Sequence, residues 1–295
     1  IMPNRAVSRR TFLSNAAMTA AGLTILSMPS RSASAQAKSA FPKAVIWGML
    51  PEELTDEDKI KLAKSCGFDG IEMPPLPPDD HAKEIADLAK AHGMKMHSVI
   101  YGGWQAPMSH PDPAKIDQGK AEIENALRLA KILGADNILL VPAVVNEEVR
   151  YIEAYERSQK NIKTLLPLAK ELNVTIAIEE VWNEFLLSPV EFAKYVDEFN
   201  DPIVQAYFDV GNVVAFGYPQ DWIRTLGKRI VKVHLKDFKK KEREWVNLGD
   251  GSVNWPEVRK ALGEVGFTGF CTAELASGDE AYHKDLAGRI DRLLA

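Results

Sequence analysis

The sequence predicts an α/β chain folded as a (β/α)8 TIM barrel, a single domain, and three observations carry that prediction. Eight short runs rich in β-branched and aromatic residues alternate with eight amphipathic runs at helical spacing, the pattern of βα units around a parallel sheet. Eight such units occupy about 250 residues, the usual size of this barrel. No Gly-x-Gly-x-x-Gly turn follows the first strand run, which argues against a doubly wound sheet of similar length.

In chain order, strands are expected at 44–49, 70–73, 94–101, 137–142, 174–180, 204–209, 230–236 and 269–275. Helices are expected at 55–65, 80–92, 113–133, 147–172, 189–199, 219–226, 255–265 and 279–294. The joints support this register. Cys66-Gly67-Phe68-Asp69-Gly70, His92-Gly93-Met94, Leu133-Gly134-Ala135-Asp136 and Val265-Gly266-Phe267-Thr268-Gly269 each place a glycine just past a helix, where the left-handed cap conformation resists a β-carbon.

Composition bounds the function. The chain has 295 residues, 46% of them hydrophobic and 26% charged, enough to bury a large core and unlike a disordered or disulfide-stapled chain. A net charge of −5 gives no general attraction to a phosphate backbone, so no nucleic-acid partner is expected. Two cysteines, Cys66 and Cys271, match no metal-binding spacing and are read as buried free thiols.

Residues 1–35 are a separate address. They hold Arg5, Arg9, Arg10 and Arg31 and no acid, so the rest of the chain is more acidic than the total suggests. Ser8-Arg9-Arg10-Thr11-Phe12-Leu13 resembles a twin-arginine export motif, with an apolar stretch over 16–28 and a small-residue site at Ala33-Ser34-Ala35. The apolar stretch is short of the ~20 residues that span a membrane, so no stable membrane anchor is expected. The expectation is a signal peptide at 1–35, handled by the twin-arginine export machinery and cleaved near Ala35, and a periplasmic or extracellular domain at 36–295. An oligomer stays open.

Alternation along the last four strands predicts a site. In Val174-Thr175-Ile176-Ala177-Ile178-Glu179 the apolar set faces helices and Thr175, Ala177 and Glu179 face the barrel axis. The same alternation turns Gln205, Tyr207 and Asp209, then Lys232 and His234, then Thr272 and Glu274, inward. Strands five to eight thus each bring one polar residue, Glu179, Asp209, His234 and Glu274, to the carboxyl end of the barrel, where such barrels place their active sites. Three carboxylates crowded there repel unless a cation neutralises them. A divalent metal is the simplest one. Three oxygens and one imidazole suit Mn²⁺ or Mg²⁺ ahead of Co²⁺, Zn²⁺ or Fe²⁺. The alternative pairs each acid with Lys or Arg, with Lys232 available.

The segments Ile178-Glu179-Glu180-Val181-Trp182-Asn183, Phe208-Asp209-Val210-Gly211-Asn212, Val233-His234-Leu235-Lys236-Asp237 and Thr272-Ala273-Glu274 carry a resemblance. They resemble the sugar phosphate isomerase/epimerase family, the xylose isomerase-like barrels that include tagatose 3-epimerase and hydroxypyruvate isomerase. The loop from Leu248-Gly249-Asp250-Gly251 to Trp255 is similar too, and the resemblance runs from about residue 41 to the end. It implies one divalent metal, Mn²⁺ foremost, on Glu179, Asp209, His234 and Glu274, with Glu179 and Glu274 also serving as acid/base groups on a small carbohydrate substrate. That chemistry is coherent: a metal stabilises an enediolate, and a carboxylate beside it moves the proton. The family's epimerases often carry His three residues after the sixth-strand Asp, and a basic residue beyond the seventh-strand His; Asn212 stands at the first place and Lys240 or Arg243 near the second.

Five further residues are expected to meet substrate: Glu72, His97, Trp104, Glu184 and Asn212. Glu72 lies between outward-facing Ile71 and Met73 and either orients substrate or holds a histidine ligand, unless it pairs with Lys232. His97 shares a face with Lys95, but its strand alternates ambiguously. Trp104 sits in the loop 102–107, glycine-hinged and aromatic like a lid over a sugar. Glu184 follows the fifth-strand ligand closely enough to reach a hydroxyl. An isomerase or epimerase acting on a small ketose or keto acid is the first expectation; a metal-dependent lyase or hydrolase, acting on a keto-inositol or a 3-keto-glycoside, is the alternative.

Overall fold

Short strands whose side chains are buried on both faces assemble where helices cover one face and a packed interior fills the other. The computed structural model describes residues 38–295, and the targeting segment expected at 1–35 lies outside them. The chain runs β1 (Lys43–Ile46), α1 (Asp56–Cys66), β2 (Gly70–Met73), α2 (Asp80–Ala91), β3 (Lys95–Tyr101), α3 (Pro113–Leu133), β4 (Asn137–Leu140), α4 (Tyr151–Lys163), α5 (Leu166–Leu172) and β5 (Thr175–Glu179). It continues through α6 (Pro189–Asp197), β6 (Val204–Asp209), α7 (Pro219–Leu226), β7 (Ile230–Leu235), β8 (Asp237–Lys239), β9 (Glu244–Val246), α8 (Trp255–Glu264), β10 (Cys271–Ala273) and α9 (Glu280–Leu294). Eight parallel strands close in the order β1-β10-β7-β6-β5-β4-β3-β2, the expected (β/α)8 barrel.

Local chemistry sets the helix ends. Thr55, Asp79, Asp112, Ser188, Asn254 and Asp279 each accept a first-turn backbone N–H, and Gly67 and Gly134 adopt left-handed caps at φ 96° and 70°. The large core lies between strands and helices, whereas a smaller cluster of Leu139, Val141, Ala177 and Tyr207 fills the barrel interior. Cys66 and Cys271 are buried and free, as expected.

Three departures have physical causes. The helix expected over 147–172 is two, because Pro167 in the first turn of α5 has no N–H for the preceding turn and the chain restarts at Leu166. The first strand stops at Ile46, and Trp47–Met49 form a 3-10 turn. An antiparallel hairpin, β8 with β9, occupies the charged run after β7, where Lys, Glu and Arg hid the alternation.

Candidate metal centre

Register assembles the four candidate ligands. β6 pairs with β7 so that Asp209 faces His234, and β10 pairs with β7 so that Thr272 faces His234, which carries Glu274 just above it. Glu179 pairs with Tyr207, one inward position below Asp209. One ligand atom from each of Glu179, Asp209, His234 and Glu274 lies within 4.8 Å of every other.

His234 is the hub. Its Nδ1 lies 2.7 Å from Glu179 Oε1, 2.8 Å from Glu274 Oε2 and 4.0 Å from Asp209 Oδ2, while Nε2 meets Glu72 Oε2 at 2.7 Å. The Tyr207 hydroxyl donates to the same Glu72 oxygen at 3.0 Å. Glu72 thus grips the far nitrogen and aims the other into the cluster, the support that metal-ligating histidines usually have.

Asp209 is held as firmly. Its Oδ1 accepts from the backbone N–H of Gly211 at 2.7 Å and of Asn212 at 2.8 Å, leaving Oδ2 to face the cluster. Gly211 allows this turn because a β-carbon there would fall 2.4 Å from the Lys236 Cβ.

The donor set fits a divalent cation. Oδ2 of Asp209 and Oε2 of Glu274 are buried and receive no hydrogen bond, although the Lys236 ammonium stands at ion-pair distance, 3.2 and 2.9 Å. Three carboxylate oxygens and one imidazole nitrogen, two of the oxygens with open lone pairs, suit a hard or borderline ion.

Charge coupling shifts every group here. Burial pulls the His234 pKa down, yet Glu274, Glu72 and Glu179 override it and hold the imidazole well above its usual range. Burial pushes Glu179 up to about 7, Glu274 adding to the rise and His234 opposing it. Burial likewise raises Glu274, but His234 and Lys236 overcome it and bring the carboxyl down to about 2.

Of the residues expected to meet substrate, two line the chamber over the ligands, a cavity of about 280 Å³: Trp104, 53% exposed in its loop, and Asn212. Ile100, Leu139, Val141 and Trp182 supply its apolar walls, and the Trp182 Nε1–H donates to the Asn212 carbonyl at 2.9 Å.

The other three lie elsewhere. Glu72 is fully buried behind His234, a support for that ligand rather than a substrate contact. His97 is fully buried lower in the barrel, stacked on Phe270 at 4.4 Å with Nε2 3.1 Å from Thr272 Oγ1. The pairing of β2 with β3 skips from Met96 to Ser98, so a bulge at His97 breaks the alternation that left its face ambiguous. Glu184 turns to solvent at φ 61° and lines no part of the chamber.

Sequence reasoning passed over Lys236 and Glu180. Lys232, offered as the counter-cation, instead reaches Asp136 at 2.8 Å. Lys236 was findable, since two residues beyond His234 is the same face. Glu180 was not: by parity it points at the helices, yet it is buried, and its Oε1 accepts the Asp209 N–H at 2.9 Å. Of the two basic candidates in the hairpin, Lys240 lies over the Tyr218 ring and Arg243 over the Trp182 ring. The Leu248–Trp255 loop is structural: Asp237 accepts from the N–H groups of Phe238, Gly249 and Val253 and from the Trp255 indole.

Comparison with known proteins adds to this geometry. The family model for xylose isomerase-like TIM barrels matches residues 60–292. L-ribulose-5-phosphate 3-epimerase UlaE of Escherichia coli O1:K1 / APEC is 25% identical over 224 residues, 72% of this chain and 79% of that relative. Among solved structures, D-psicose 3-epimerase with D-tagatose, from Clostridium cellulolyticum H10, superposes with a TM-score of 0.70 at 19% identity, covering 86% of this chain and 96% of that one. The apo form of 3-keto-D-glucoside 4-epimerase, YcjR, from E. coli, superposes with a TM-score of 0.74 at 14% identity, covering 85% and 98%.

Proposed function

This chain belongs to the xylose isomerase-like TIM barrel family, and from that premise we propose that it is a divalent-metal-dependent isomerase or epimerase of a small ketose or keto acid. The carrying observation is the convergence of Glu179, Asp209, His234 and Glu274 within 4.8 Å of one another, with Glu179, His234 and Glu274 lining one chamber. UlaE, a 3-epimerase by name, supports the reaction class. The lyase alternative draws no support from the relatives.

Glu179, Asp209, His234 and Glu274 would hold the ion, with Mn²⁺ the first choice. When bound, such an ion polarises the carbonyl and hydroxyl oxygens of an α-hydroxyketone and offsets charge built up on them. The protein's own groups then handle the proton. Glu179, a carboxylate lining the chamber, would take the proton from carbon and return it. Glu274 provides a second carboxylate at the same chamber, as inversion at carbon requires. Glu72 keeps His234 oriented, and the apolar walls from Ile100, Leu139 and Val141 exclude water around the reacting carbon.

The test is proton exchange. Mn²⁺-loaded protein incubated with free ketoses in deuterated water should place deuterium on the carbon next to the carbonyl. Glu274→Gln should slow this by ~10²–10⁴-fold. No exchange by the parent with any ketose would remove the isomerase reading.

Export belongs to the proposal as well. Arg9-Arg10, the apolar run 16–28 and Ala33-Ser34-Ala35 support it. Replacing both arginines by lysine should retain the protein in the cytoplasm, and unchanged location in a cell-fractionation assay would overturn it.

A further inference from the structure

The mouth of the barrel has two chambers. Beside the cavity over the ligands lies a second of about 530 Å³, and both are walled by Lys236, Trp245 and Glu274. The remaining wall comes from Val246 and Asn247 at the end of the hairpin, Leu275 and Ala276 just past Glu274, and Tyr282 on α9. The ligand chamber stands just below the ~300–1,000 Å³ range of small-molecule pockets. The second adds more room than a phosphate needs.

Its chemistry is selective. Lys236 is the one cation among its lining residues, and that ammonium already lies 2.9 Å from Glu274 and 3.2 Å from Asp209. A phosphate there would meet a single ammonium and would face the Glu274 carboxylate beside it. An uncharged ring would instead meet the exposed part of Trp245, whose indole already lies against Trp182, Phe238 and the Lys236 ammonium, with Val246, Leu275 and Ala276 around it and the Asn247 amide for a hydroxyl.

We propose that the second chamber is a subsite for an uncharged ring joined to the substrate through a glycosidic oxygen, so that the protein acts on a glycosylated ketose rather than a ketose phosphate. This rests on the isomerase reading of the ligand chamber, because it places the ketose carbonyl there and the ring beyond Glu274.

Four probes share one ketose: D-fructose, D-fructose 6-phosphate, isomaltulose and maltulose, the last two carrying glucose on O6 and O4. Their binding to Mn²⁺-loaded protein is read by titration calorimetry. At least one disaccharide should bind about tenfold or more tighter than D-fructose, the scale of one good ring contact, and the phosphate should bind no tighter than D-fructose. Ala276→Trp fills the second chamber from an exposed position, so it should fold, and should bring the disaccharides to the D-fructose value. Trp245→Ala should lower the disaccharide advantage without a bulky addition.

Disaccharides no tighter than D-fructose, a tighter phosphate, or an Ala276→Trp loss equal for all four probes would each overturn the subsite. Deuterium exchange into D-fructose is scored separately. Exchange without ring preference overturns the subsite alone, and ring preference without exchange in any probe removes the isomerase reading while keeping the subsite.

Discussion

Two levels of one barrel interior each bury a histidine completely, and their surroundings invert its chemistry. His234, at the carboxyl ends of the strands, is enclosed by Glu274, Glu72 and Glu179, which, against the effect of burial, raise its pKa when no ion is bound. His97, lower down, lies flat on Phe270 with a threonine hydroxyl at its edge, and burial brings its pKa down to about 3. The two are joined by a polar chain: Glu72 links His234 to the Tyr207 hydroxyl, which lies 3.2 Å from Thr272 Oγ1, the group beside His97. Burial by itself therefore assigns neither function nor charge; the neighbours decide. The upper level concentrates like charge and is arranged for a cation, at a cost to the fold. The lower level is packed for stability.

The largest expected effect breaks the upper level. Asp209→Asn should weaken Mn²⁺ binding by at least ~100-fold, more than is typical for losing a group behind a ligand, measured by titration with a competing chelator. Because it also removes one of the crowded charges, the chelated variant should melt no lower than the chelated parent. A chelated variant that melts several degrees lower would show that Asp209 is primarily a structural residue.

A smaller effect should come from the lower level. His97→Ala deletes a stacked ring and leaves a void, costing about 2–4 kcal/mol of stability by denaturant titration. Mn²⁺ affinity should stay within roughly threefold, as for sites that share no partner. If affinity collapses with stability, the hydrogen-bond chain transmits more than the packing implies and the two levels are one unit.

A third effect is in the pH curve, where the levels should oppose each other. The folded pKa of His97, about 3, lies below its unfolded value near 6.5. Between them only the unfolded chain takes the proton, so this stability is present above 6.5 and is lost as pH falls toward 3. Glu179 runs the other way. Its folded pKa of about 7 lies above 4.5, so in chelated protein its contribution is lost as pH rises between those values. His97→Ala should flatten the acid limb, and Mn²⁺ should abolish the Glu179 limb. An acid limb unchanged in His97→Ala would assign it to other groups.

Much of this was legible in sequence for a simple reason. In a barrel strand buried on both sides, period two separates core from interior, so the charges at the ends of β5, β6 and β7, and one residue past β10, could be read as facing one axis. The same parity reaches Lys236, two residues beyond His234. It fails at His97, where a bulge in β3 inserts a residue and shifts the face. It fails at Glu180, whose burial depends on how the backbone turns after β5 to meet the Asp209 N–H. The exposure of Glu184 was not legible either, because its left-handed turn is set by the loop around it.

The sequence by itself determined the alternation of strands and helices, the caps that end the helices, and which four polar residues stand inward at the strand ends, because each depends on residues near one another in the chain. Only the tertiary structure decided which acid supports His234, which lysine stands at the carboxylates, and that a hairpin and the start of α9 wall a second chamber. Those outcomes depend on strand register and on contacts between distant segments, Glu72 with His234 across 162 positions among them. No local pattern encodes such distances.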